Sequence, residues 1–222
     1  MAPRLRDDLH WCNASGKAVF LDLEAGRYFS LPGTINQAFL HLASGAPECQ
    51  DQSLLTMLIK RGLLIEEPGC VSIQSPASIE PPTRDYLPEA SLRPSLIPLG
   101  RELASELERA WALHWQSIAL VIRAAAYQGS RKGHVPRDPH RSLKAIVAGA
   151  YSASLVSRAH DRCLVRALAV KSLCNRSGIE AKLVFGVIAN PFSAHCWVQF
   201  GGAVLVGGFE QARLFTPILV VE

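Results

Sequence analysis

The chain has 222 residues, 49% of them hydrophobic, enough for one large domain or two small ones. A net charge of +4, from 23 basic and 19 acidic side chains, and an aromatic content of 7% leave no case for a nucleic-acid partner, because neither a dense Lys/Arg block nor a stacking platform can be assembled. The longest apolar run near mid-chain, SIALVIRAAAY, is broken by Arg123 and falls short of the roughly 18–20 residues that span a bilayer, so no membrane partner is expected.

The N-terminus, MAPRLRDDLHWCNASG, has no apolar signal core, which predicts a cytoplasmic protein. Residues 17–31, KAVFLDLEAGRYFSL, read as two short strands joined through EAG in a hairpin, and residues 5–12 add a third. In GTINQAFLHLA, Thr34 is the expected N-cap, Ile35, Phe39 and Leu42 recur at helical spacing, and SGAP closes the helix. QSLLTMLIKRGLLIEE predicts a helix ending at Gly62 and then an apolar tail. Residues 1–75 are thus expected to be a small sheet-plus-helices module. Six of the 14 prolines lie within 76–98, where they remove donors and disfavour helix, so this segment is predicted to be a semi-extended linker. A second domain is expected over 99–222.

From Gly100 the pattern turns helical, with Leu103, Leu107, Trp111 and Trp115 along one face. The polar break GSRKGHVPRDPH precedes a second helix over about 141–158. A third begins near Asp161, carries RCLVRALAVKSLCNR and stops at Gly178. EAKLVFGVIA, AHCWVQF and AVLV follow as three strands joined by NPFS and GG. Helices followed by consecutive strands with short turns predict an α+β domain with an antiparallel sheet.

The six cysteines, at 12, 49, 70, 163, 174 and 196, form no CxxC pair, so they read as thiols, and four zinc ligands at workable spacing are lacking. Asp161, flanked by His160 and Arg162 in a polar helix start, can cap the third helix and put Cys163 in its first turn. There the macrodipole and the N–H groups of the first turn favour a thiolate, and the same N–H groups can receive an oxyanion. His195, on a following strand, can hold that thiolate as an ion pair and protonate a leaving amine. Cys174 lies on the same helix face three turns deeper, and Cys196 alternates to the other face of the strand from His195; both read as core.

Residues 162–205 resemble the transglutaminase-like, papain-like cysteine peptidases of lasso-peptide biosynthesis. The matching pieces are CLVRALA, GIEAKLVFGV, PFSAH and HCWV, without a gap over more than forty residues. The resemblance implies Cys163 as nucleophile and His195 as base. The acid of that family stands in a V-(I/L)-N-D strand ending, and here AVLVGG puts Gly207 in its place. Three readings stay open: a Cys–His dyad, a displaced acid (Glu210 first, with Asn190 as an amide substitute), or lost activity. Gln199, about 13 Å along the strand, is too far to replace it.

The front of the chain is similar to the PqqD-like leader-recognition elements, winged-helix-like modules of three strands and three helices, through VFLDLEAGRYFSL and the LIKRGLL helix end. That likeness implies strand addition of a precursor's leader at the edge of RYFSL, against the helix 53–61. Tyr28, Phe29, Leu54 and Met57 then line pockets, while Arg27 and Lys60 meet acidic leader positions. A winged helix also binds DNA in other settings, but 53–64 holds only Lys60 and Arg61 as phosphate contacts. The expected function is leader removal from a lasso-peptide precursor, alongside an asparagine-synthetase-like cyclase. No metal or cofactor is required; some members of the family depend on ATP, which no residue here is assigned to bind. A non-catalytic leader-binding scaffold and a transglutaminase-type acyl transfer are the alternatives.

Overall fold

The computed structural model describes residues 2–44, 52–67, 73, 76–87, 96–130, 138–156 and 162–222. Its first part runs β1 (Ala2–Leu5), β2 (Leu9–Ala14), β3 (Lys17–Asp22), β4 (Arg27–Ser30), α1 (Gly33–Ala43), α2 (Gln52–Lys60) and β5 (Leu64–Glu67). β2, β3 and β4 form an antiparallel sheet, and β1 pairs with β5 in a separate ribbon. Against the expected three strands and three helices, the described residues of this part hold five strands and two helices. The tail after Gly62 became β5 because β1, distant in sequence, offers it a ladder partner. Pro32, not Thr34, occupies the N-cap of α1, with φ −64° and no side-chain capping bond. The helix is tied down by Asn36 instead. Its Oδ1 accepts from the Ala18 N–H at 2.7 Å, and its Nδ2 donates to the Gly16 carbonyl at 2.9 Å.

Alternation along the three-stranded sheet separates two cores. Trp11, Phe20 and Phe29 face α1 and α2, where Phe20 stacks on Phe29 at 5.0 Å and meets Phe39 at 5.0 Å, beside buried Leu54, Leu55 and Leu58. Cys12, Ala14, Val19 and Leu21 face the other way and share one core with Leu183, Phe185, Val187, Ile218 and Leu219. The sheet is therefore covered on both sides. An Arg123–Asp8 ion pair and a 3.1 Å hydrogen bond from Lys17 Nζ to Asn190 Oδ1 reinforce this packing.

The remainder comprises β6 (Arg84–Asp85), α3 (Leu96–Trp115), α4 (Ile118–Ser130), α5 (Pro139–Val156), α6 (Cys163–Arg176), β7 (Lys182–Ala189), β8 (Phe192–Phe200), β9 (Ala203–Val206), α7 (Phe209–Ala212) and β10 (Thr216–Val221). The sheet order is β10-β7-β8-β9-β6, antiparallel except where β6 meets β9. This is the α+β architecture expected, with β10 and β6 added at the two edges. Within the proline-rich segment, residues 76–83 hold no helix or strand, 84–85 form β6, and 96–98, expected to be linker, already belong to α3. The Thr83 N–H donates to the Gly202 carbonyl and the Tyr86 N–H to the Val204 carbonyl, each at 2.8 Å, which closes the edge of β9. Residues 88–95 of that segment lie outside the described residues, as do 131–137 of the polar break, 157–161 (so also His160 and the proposed cap Asp161), Cys49 and Cys70.

The helix expected from Gly100 is two helices, broken at Gln116 and Ser117. Its apolar stripe also faces outward: Leu107, Trp111 and Trp115 are 72%, 64% and 69% exposed, whereas Glu102, Ser105, Glu106 and Arg109 are buried. The reason is the partner surface. α6 presents Arg166, whose Nε donates to Glu106 Oε1 at 3.1 Å, and the Ala169 carbonyl, which accepts from Ser105 Oγ at 3.3 Å. α6 itself lies under the sheet and against α3, α4 and α5, with Ala167 to Asn175 all buried. No helix among the described residues is long and apolar enough to cross a membrane.

Candidate active site

Cys163 is the first residue of α6, preceded at the N-cap by Arg162, which makes no side-chain capping bond. The sulfur thus sits at the positive end of the helix. β8 carries His195 to the same place, where each side chain shifts the titration of the other. His195 Nε2 lies 2.8 Å from the main-chain carbonyl of Gly207. A carbonyl only accepts, so Nε2 carries a proton and Nδ1 is the nitrogen left for the sulfur. The ring is held between Trp197, 6.2 Å away and nearly parallel, and Phe215 at 5.3 Å. Gly186, opposite His195 in the β7–β8 ladder, makes room for this packing: a Cβ there would lie 2.7 Å from the Trp197 ring and 2.8 Å from Phe215 Cβ.

The electrostatics follow from these contacts. The Cys163 thiol is lowered to about 4, first by the hydrogen bond from the Cys196 thiol and then by that of His195, against the cost of burial. The charge on His195 and the Cys196 backbone N–H add to the effect. His195 moves the opposite way. Burial lowers it, but the Cys163 hydrogen bond, the Gly207 carbonyl and the Cys163 charge outweigh this, and its pKa ends above the usual 6.5. The two shifts run in opposite directions, toward a thiolate on Cys163 and a proton on His195. Cys12 and Cys174, both fully buried, are pushed up to about 12 by desolvation and are inert by comparison.

Several expected site residues stand elsewhere. Glu210 belongs to α7, where its side chain is 75% exposed and pairs with Arg213 at 3.3 Å, so the acceptor on the imidazole is a main-chain carbonyl rather than a displaced acid. Asn190 takes the Lys17 ammonium, and Gln199 accepts from Trp197 Nε1 at 3.2 Å while donating to the Glu80 carbonyl at 2.7 Å. Cys196 is buried in the core as expected, and from there its thiol and the Cys163 sulfur shift each other's titration in opposite directions. Strand alternation did put it on the helix-facing side; it gave no sign that the first turn of α6 ends over it. The sign of the Gly207 contact was the double glycine itself.

Of the residues assigned to leader pockets, Phe29, Leu54 and Met57 contribute to the core between the sheet and α2. Arg27 and Lys60 are exposed, the Arg27 guanidinium 6.0 Å from the Phe29 ring. Tyr28 turns to the opposite face, where its ring meets Phe192 at 5.6 Å. Burial first, and then the neighbouring thiols Cys196, Cys163 and Cys12, push its phenol up, which puts Tyr28 at the border of the thiolate site. The outer edge of β4 has no strand partner among the described residues. Nor do those residues gather three or more His, Cys, Asp or Glu side chains as a metal ion would require.

The chain matches the transglutaminase-like superfamily over residues 103–220, just over half of its length. It is also similar to the microcin J25-processing protein McjB of Escherichia coli, 44% identical over 43 residues. That match covers 19% of this chain and spans about a fifth, 21%, of the relative. No solved structure matches.

Proposed function

The chain belongs to the transglutaminase-like superfamily, and from that premise we propose that it removes the leader from a ribosomally made lasso-peptide precursor through a thioester at Cys163. The observation that carries this reading is the sulfur–imidazole contact completed by the Gly207 carbonyl, a Cys–His pair with its ring orientation fixed. The likeness to a protein that processes microcin J25 supports the choice of substrate. In the reaction, the Cys163 thiolate attacks the carbonyl carbon at the leader–core junction, and the His195 imidazolium gives its proton to the nitrogen as the C–N bond breaks. Water then attacks the thioester, passes a proton to His195 and releases the leader carboxylate, restoring the thiolate. Residues 1–75 hold the leader on the free edge of β4, with the 76–98 segment joining this module to a peptidase domain over 99–222. A cyclase condenses the freed amine with a side-chain carboxylate.

Incubating the precursor with the protein, with and without the cyclase and with an added amine, tests this by mass spectrometry. The expected products are leader and core whose masses sum to the precursor plus one water. An amine adduct on the leader would mean transfer rather than hydrolysis, and an unchanged precursor in every mixture would leave only a scaffold.

The pH dependence has a defined sign. The active form needs Cys163 deprotonated and the imidazole protonated, so kcat/KM should fall on the acid side near 4 and on the alkaline side only above 6.5, where His195 surrenders its proton. Since the Cys196 thiol is the first cause of the low Cys163 value, Cys196→Ala should move the acid limb upward while leaving a working enzyme. An acid limb that stays in place would remove Cys196 from this role.

A further inference from the structure

The register of β8 gives the site two distinct flanks. Phe192, with Tyr28 against it, lies three residues before His195, about 10 Å along the strand. Gly207 lies on the other flank: β9 pairs with the later half of β8, Val206 opposite Val198, and the chain then turns back so that the Gly207 carbonyl reaches the imidazole. On that second flank a cleft of about 260 Å³ opens between α5 and β9. Its floor is apolar, with Leu87, Val147 and Leu205, and its rim carries Asp85, Tyr151 and Arg166. Arg166 is one helical turn after Cys163, on the same side of α6. Gly207 and Gly208 form the wall nearest His195, and Asp85 holds that wall in place by accepting the Phe209 N–H at 2.8 Å. The cleft is therefore built onto the Nε2 side of the ring, behind the glycine wall that fixes it, while Nδ1 faces the sulfur.

We propose that this cleft is the subsite for the residues that follow the cleaved bond, so that a peptide crosses the thiolate from the Tyr28–Phe192 flank to the α5–β9 flank. The inference rests on the peptidase reading, which places the upstream part of the substrate on β4 and leaves only the far flank for the downstream part. The volume is just below the roughly 300–1,000 Å³ of ligand clefts, so it takes a short extended segment with a small first side chain and rejects a bulky one. A second cavity of about 250 Å³, lined by Ile97, Arg101, Arg141 and Ser177, lies away from Cys163 and shares no lining residue with this cleft.

The test compares two substrates on the full chain: the precursor, and its leader alone carried as a small alkyl thioester, which has nothing to place in the cleft. In the wild type, precursors with Gly or Ala after the cleaved bond should turn over at least about 10-fold better than one with Trp, on the scale by which a pocket separates side chains of different size. Ser154→Phe, which puts a ring at the cleft wall, should depress precursor cleavage at least about 10-fold more than thioester hydrolysis. Thermal melting reports whether that variant folds, and the substrate series in the wild type decides the matter if it does not. Equal turnover of the Gly and Trp precursors, or equal losses on both substrates in a folded Ser154→Phe protein, would overturn the subsite. Wild-type protein that hydrolyses neither substrate would overturn the peptidase reading and this inference with it.

Discussion

Cys163→Ala should abolish leader release, lowering kcat/KM by on the order of 10⁵, or about 7 kcal/mol of transition-state stabilisation. The size follows from what the sulfur does. In the proposed reaction it is the atom that bonds to the carbonyl carbon, and among the described residues no second thiol can take its place. Cys196 is its neighbour but is buried, with its proton held well above the ordinary thiol range, first by its hydrogen bond to the Cys163 sulfur. Cys12 and Cys174 are buried thiols raised to about 12. The protein should still fold, since Cys163 is only partly buried and alanine at a helix start is well tolerated. Leader affinity should therefore survive while cleavage does not, read by binding titration beside mass spectrometry of the products. A Cys163→Ala protein that released leader at the wild-type rate would remove the sulfur from the chemistry and return the chain to the scaffold reading.

The meeting of Cys163 and His195 was more legible in the sequence than the packing was. Helix-borne Cys163 and strand-borne His195 come together because α6 is followed by two adjacent antiparallel strands, and short loops leave that hairpin few places to go. The period of α3 was equally clear, but its phase was not. Leu107, Trp111 and Trp115 recur as an inward face would, yet Glu102, Glu106 and Arg109 are inside, where buried Glu102 is raised to about 8 chiefly by desolvation. A periodic pattern says that a helix has two faces. Which one is covered depends on the charges of α6, far along the chain. β5 and β6 were missed for a related reason: each is a short segment made into a strand by a partner remote in sequence, β1 for one and β9 for the other. The double cover of β2 and β3 shows how a small module can share a core with its neighbour. Val19 and Leu21 pack toward β7 and β10 while Phe20, between them, packs toward α1, and a run of apolar residues without alternation is the sequence mark of such a sheet.

Gly207 stands where the resemblance drawn from the sequence puts an acid, and its replacement should be nearly as damaging as loss of the sulfur. At φ +107° the residue is in a region closed to most side chains, and a Cβ would stand 2.5 Å from Trp197 Cβ, 3.0 Å from Trp197 Cα and 3.1 Å from the Cys196 carbonyl. Those atoms belong to the strand that bears His195, so none can swing aside. The loop must move, and the carbonyl leaves Nε2. Gly207→Ala should then reduce kcat/KM by about 10²–10⁴, the scale on which a misoriented catalytic imidazole is felt. Gly207→Asp tests the stronger claim. It supplies the carboxylate that the resemblance implies at this position, yet the same Cβ collision applies, so it should be as poor as the alanine variant. Both should also titrate differently from the wild type. Without its acceptor the imidazolium gives up its proton more readily, so the alkaline limb of the pH profile moves down and the thiolate absorbance appears only at higher pH. A loss of activity with both limbs unmoved would make Gly207 a folding requirement alone. A fully active Gly207→Asp enzyme would mean that the carbonyl contact is dispensable and that a side-chain acid can still be seated beside His195.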